Sequence, residues 1–146
     1  MKIRNEMEEI DFSVVDYQFP EAEKSKPNDF DYDANWLKIR VTHTKDGKTE
    51  IFEDSCVLTY ELEELTDAVA DLLSGKKSSY ISEFMEPYLR FAIAEAEGRY
   101  MVQIKFVSYA DKDRWDTVGA AQLFSAEMLA DAERELRGYL RAYPKR

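Results

Sequence analysis

Residues 36–45, WLKIRVTHTK, alternate without a break: Leu37, Ile39 and Val41 fall on one face, and Trp36, Lys38, Arg40 and Thr42 on the other. A two-residue period marks a strand with one buried face. Asp46-Gly47 follows, a pair suited to the positive φ angles of a tight hairpin turn. Residues 49–58 then give the returning strand. A hairpin of this kind has an apolar face that something else in the chain must cover.

A helix supplies the first cover. Thr59 is placed to cap it, Glu61 lies in its first turn, and Leu62, Leu65, Val69, Leu72 and Leu73 recur at helical spacing. Ser74-Gly75 closes it in the manner of a C-cap. Glu63, Glu64, Asp67 and Asp71 lie opposite the apolar stripe, with no Lys or Arg among them.

The remaining segments follow the same logic. Residues 11–19 read as an earlier strand, and residues 20–35 as a long surface loop. In the second half, residues 84–94 and 100–109 alternate around a turn at Glu97-Gly98 or Gly98-Arg99. Residues 110–117, ADKDRWDT, read as a charged loop, and residues 118–124 as a third strand. Ser125 caps a last helix whose stripe is Leu129, Ala132, Leu136, Leu140 and Tyr143, stopped by Pro144.

Both halves therefore read strand, strand, strand, helix. The expectation is one α+β domain over residues 1–146. It would have a mostly antiparallel sheet of about six strands, two helices on one face, and order βββα-βββα. An internal duplication and ordinary hairpin-rich topology explain the repeated order equally well.

Charge narrows the function classes. Twenty Lys and Arg against thirty Asp and Glu give a net charge of −10. Nucleic-acid recognition needs a basic footprint, and anionic membrane surfaces repel such a chain. An apolar share of 45% with 13% aromatics supports a packed core and not an acidic disordered chain. No run of about 18 apolar residues suggests a membrane span, and the opening MKIRNEMEEIDF has no apolar stretch of a signal peptide. With a single cysteine, Cys56, and so no internal disulfide, the cytoplasm is the expected compartment.

Candidate chemistry is sparse. Asp29, Asp31 and Asp33 have the opening spacing of a calcium loop, but Ala34 and Arg40 stand where that loop needs Gly and Glu. His43, the single histidine, lies on the apolar face near a strand end and reads as a hydrogen-bonded structural residue. Cys56 falls across the hairpin from Leu37, away from His43, and reads as a small core residue. No zinc set, phosphate loop or nucleophile motif is present. The expectation is thus no enzyme, no catalytic residue, no metal and no cofactor.

What stands out is a surface. The acidic helix face and the acids at 29–33 form a one-signed field that attracts basic partners. Trp36, opposite the core face, and Trp115, in the charged segment, are residue types common in interface hot spots. The plainer reading of Trp36 is a second apolar layer over the sheet, and of Trp115 a pin for its loop. The candidate partner-binding set is Glu63, Glu64, Asp67, Asp71, Asp29, Asp31, Asp33, Trp36 and Trp115.

Three segments carry a family resemblance: DANWLKIRV (33–41), FMEPYLRF (84–91) and LRAYPKR (140–146). In this order they resemble the WapI-type immunity family, small bacterial proteins that neutralise a contact-dependent toxin encoded beside them. Asp33, Asn35, Trp36, Glu86, Pro87, Leu89, Phe91, Tyr143, Pro144 and Arg146 occupy the family's motif positions, with Tyr143 where phenylalanine is commoner. The resemblance implies a binding protein for a toxin domain, which the charge argument makes basic, as a nuclease would be. The alternatives are an adaptor or homo-oligomeric scaffold associating through the face around Trp36, and an enzyme using His43 with carboxylates.

Overall fold

The computed structural model describes residues 1–22, 31–111 and 114–146, with backbone alone for 108–111 and 114–116. Its first half comprises β1 (Lys2–Arg4), β2 (Glu8–Tyr17), α1 (Tyr32–Asn35), β3 (Trp36–Lys45), β4 (Lys48–Leu58) and α2 (Thr59–Leu73). The second comprises β5 (Ser79–Ile81), β6 (Leu89–Ala96), β7 (Arg99–Asp111), β8 (Arg114–Phe124) and α3 (Ala126–Ala142).

The chain is α+β with antiparallel pairing throughout the described strands, which form two sheets in the orders β1-β2-β3-β4 and β5-β6-β7-β8. Eight described strands replace about six. The three-residue edges β1 and β5 are too short to show a period, and no ladder joins β4 to β5, so the strands divide into two sheets.

Both two-residue hairpins form where the sequence places them. Asp46 and Gly47 have φ of 50° and 73°, Glu97 and Gly98 of 53° and 77°, the left-handed pairs that match strand twist. Other boundaries move. Leu58 caps α2 in place of Thr59, its N–H donating to Glu61 Oε2 at 2.8 Å, because the Thr59 hydroxyl donates instead to Asn35 Oδ1 at 2.9 Å. The expected strand at 84–94 begins at Leu89; Pro87, which has no N–H to give a ladder, lies just before it. The 20–35 loop ends in α1, capped by Asp31, which accepts from the Ala34 N–H at 3.3 Å. The charged segment 110–117 is largely strand, since β7 runs to Asp111 and β8 starts at Arg114.

One buried cluster runs through both sheets and both long helices. Phe12 of β2 meets Phe91 of β6 edge to face at 5.2 Å and Tyr139 of α3 at 6.4 Å. Phe106 of β7 meets Phe52 of β4 and His43 of β3, each at 6.0 Å. The polar contacts cross the halves. Glu61 of α2 accepts from the Met85 N–H at 2.6 Å, and Leu72 of α2 offers its carbonyl to the Tyr100 hydroxyl at 3.4 Å. In return, α3 reaches the first sheet through Glu135, which accepts from the Met1 amino group at 2.6 Å. Each long helix thus reaches into the other half while also packing on its own, α2 against β4 and α3 against β7 and β8.

Two bulges flank Lys38. Val15 is the extra residue between β2 and β3, where Val14 faces Ile39 and Asp16 faces Lys38. Cys56 is the extra residue between β3 and β4, where Val57 faces Leu37 and Ser55 faces Lys38. A bulge breaks the strict alternation of faces, and Cys56, Val57 and Leu58 are consecutively buried.

Candidate functional site

The acidic helix face forms, but cations from outside the helix reach part of it. Glu63 and Glu64 are exposed and enter no ion pair among the described residues. Asp67 lies 4.0 Å from Arg137 of α3, while Asp71 receives Lys76 and Lys77 at 3.5 Å each from the link after the helix. A sequence scan confined to the helix finds no such neighbours, because they come from other elements. The strongest unscreened part of the field is therefore the first two turns of α2.

The other candidates disperse. Asp31 serves as the α1 cap and Asp33 is exposed in its first turn. Asp29 lies outside the described residues. Trp36 opens β3 half-buried, with its carbonyl accepting from Gln18 N–H at 2.8 Å. Trp115 lies in β8, and its side chain is outside the described residues. Glu63, Glu64, Asp67 and Asp71 share one helix, and Asp31, Asp33 and Trp36 share the α1–β3 junction.

His43 is buried, 6% exposed, with Nε2 2.7 Å from Glu8 Oε2. That pairing is the structural, hydrogen-bonded histidine its position suggests. A cavity of about 350 Å³ opens beside it, lined by Lys45, Asp46, Lys48, Glu50 and Val118 as well as His43. Cys56 is fully buried, and burial pushes its thiol pKa well above the ordinary range. Its register position beside Leu37 keeps it far along the hairpin from His43, which faces Glu50. Among the described residues no three or more His, Cys, Asp or Glu gather as metal ligands, and no helix is long and apolar enough to cross a membrane.

Four of the motif residues, Asn35, Tyr143, Pro144 and Arg146, converge on a knot that no short-range pattern reveals. Asn35 is fully buried and uses both ends of its amide. Its Nδ2 donates to the Asp31 carbonyl at 2.7 Å and the Arg146 carbonyl at 2.9 Å. Its Oδ1 accepts from the Thr59 hydroxyl and the Arg146 N–H, both at 2.9 Å. The Arg146 guanidinium stacks 3.6 Å from the Tyr17 ring centre and donates to the carbonyls of Phe19, Pro20 and Ala22. Tyr17 donates its hydroxyl to the Pro144 carbonyl at 2.5 Å, and its ring meets that of Tyr143 edge-on at 5.5 Å.

These positions join α1, the start of α2, the end of β2 and the last residues of the chain. Leu89 and Phe91 are buried core residues of β6. The contacts of Asn35, Leu89, Phe91, Tyr143, Pro144 and Arg146 are architectural, so these motif positions mark how the fold closes.

No curated protein matches the chain. The sequence model of the Immunity protein WapI-like family matches residues 2–144, which takes in both sheets, both long helices and every motif position except Arg146. The chain belongs to the WapI-like immunity protein family.

Proposed function

We propose that this chain is a non-enzymatic immunity protein of the cytoplasm, folded as one domain, that neutralises a basic toxin domain, a nuclease being the natural case, by binding it directly. The observation that carries this reading is the exposed acidic start of α2, where Glu63 and Glu64 face solvent without a cationic partner among the described residues. Asp67 and Asp71 extend the field, and Asp29, Asp31, Asp33, Trp36 and Trp115 complete the contact. A basic nuclease is built to hold phosphates. An acidic face both competes for that surface and speeds the encounter.

The test starts from the neighbouring gene, and a toxin domain encoded there is the partner to use. Reversing Glu63, Glu64, Asp67 and Asp71 to Lys should slow association about tenfold or more at low salt, because steering of this kind is electrostatic and screened by ions. Unchanged association kinetics remove the acidic face from the contact. Absence of any binding by the unaltered chain removes the toxin-binding reading itself.

A further inference from the structure

The two sheets differ in the charges on their outer faces, although the first also exposes Ile51, at 65%. On the first sheet, cations and carboxylates are interleaved and paired: Lys2 with Glu9 at 2.9 Å, Lys38 with Glu53 at 3.1 Å, and Arg40 with Glu53 at 2.8 Å. Such a face is satisfied by its own charges and by water. The second sheet's outer face has no carboxylate among its described outward residues on β5 to β8, in a chain of net charge −10.

Its centre is mostly apolar, with Gln103 of β7 as the polar residue between Ala92 and Ala121. Met101 and Leu123 stand opposite each other in the β7–β8 register, 45% and 41% exposed, and Ile81 on β5 is 51% exposed. Ala94 faces Met101, and Ala92 faces Ile81, so small side chains keep the surface between them low. Cations border this centre along the strands. Arg99 lies one outward position beyond Met101, and Arg90 and Lys105 face each other at the opposite border. None of the three enters an ion pair among the described residues.

Lys105 is held down by design of the backbone opposite it. Gly119 is its register partner, and a Cβ there would fall 2.7 Å from Lys105 Cγ and 2.8 Å from the Ile104 carbonyl. The missing side chain lets the lysine stem lie against β8, with its apolar methylenes continuing the patch.

We propose that this face docks a partner protein whose surface is apolar at its centre and flanked by carboxylates. An exposed apolar area bordered by polar groups is the ordinary mark of an interaction site. Charge decides the occupant. A second copy laid face to face, with the apolar centres overlapping, would bring Arg90, Arg99 and Lys105 against cations of the same set, and like charges across an interface oppose association. A carboxylate-flanked partner meets each of them with an opposite charge. This surface is opposite in sign to the acidic start of α2, so the inference stands apart from the toxin-binding reading.

The probe is a fluorescent amphipathic peptide with leucines on one face and glutamates along its borders, compared by anisotropy with the same peptide carrying lysines. The glutamate peptide should bind the intact chain, and the lysine peptide at least about tenfold more weakly, a difference of ~1.4 kcal/mol. Met101→Lys with Leu123→Lys should abolish binding, and Arg90→Glu with Lys105→Glu should invert the peptide preference. Because all four side chains are exposed, circular dichroism should show these variants folded. Failure of the glutamate peptide to bind, equal binding of both peptides, or binding unaffected by the Met101 and Leu123 changes overturns the proposal. So does a dimer in light scattering that Met101→Lys dissolves, which would make the occupant a second copy.

Discussion

The Tyr143 hydroxyl donates to the Val15 carbonyl at 2.7 Å, and Val15 is the extra residue of the β2–β3 bulge. A bulge takes one residue out of the ladder, so the tyrosine supplies a partner to a carbonyl at this irregularity. Tyr143→Phe keeps the edge-on contact with Tyr17 and removes this bond alone. It should lower stability by about 1 kcal/mol, the usual net worth of one such bond, visible as a lower denaturant midpoint with an unchanged m value.

Asn35 is the more demanding position. Asn35→Ala would leave the Thr59 hydroxyl and the Arg146 N–H without their acceptor and two carbonyls without their donor. A loss of roughly 3 kcal/mol is expected, at the upper end for an unsatisfied buried set. Asn35→Asp should be nearly as damaging at neutral pH, because a carboxylate accepts but cannot donate to the Asp31 and Arg146 carbonyls. Thermal unfolding of the two variants against the parent checks both.

Glu61 ties α2 to the segment before β6 by accepting from the Leu58 and Met85 N–H groups. Burial raises its carboxyl pKa, and the two N–H donors pull the other way. Glu61→Ala should cost about 1.5–3 kcal/mol, the range for hydrogen bonds to a charged group. Amide hydrogen exchange should report it first, with protection lost at Met85 before the strand cores.

Alkaline pH should destabilise the fold in a way traceable to Cys56. Burial raises its thiol pKa in the folded state, with Asp54, Glu61 and Glu86 adding to the effect. The contribution is complete below the unfolded thiol's ordinary value of about 8.5. It is lost as pH rises through that value toward the raised one, at up to ~1.4 kcal/mol per pH unit. Cys56→Ala should flatten this part of the stability curve. In the same vein, a thiol reagent at pH 8 should label Cys56 only at the rate of unfolding.

How far the sequence discloses the fold depends on the length scale of the signal. The β3–β4 hairpin, α2 and α3 are legible because period, turn residues and caps agree within a window of about fifteen residues. Leu37, Ile39 and Val41 are fully buried as the alternation requires. β1 and β5 have three residues each, fewer than two periods, and so leave no pattern. The 110–117 segment reads as loop from its charges, yet backbone pairing with a neighbouring strand is indifferent to them. For the candidate surface, helical spacing places Glu63, Glu64, Asp67 and Asp71 together. It cannot foresee Lys76, Lys77 and Arg137 approaching two of them. Asn35 and Arg146 are visible as motif positions, but only the folded chain joins residues 111 positions apart.

The contacts that α3 and the residues after it make with the first half have a kinetic consequence. Glu135 bonds a group 134 positions earlier and Tyr143 one 128 positions earlier, so the first sheet, although synthesised first, waits for the final helix to complete its bracing. Native pairings this distant in the chain slow the search for the transition state, as high contact order does generally. The nascent first half would therefore leave the ribosome with its apolar face still uncovered. Its protection in that interval falls to the same dense negative charge that gives the mature protein its character.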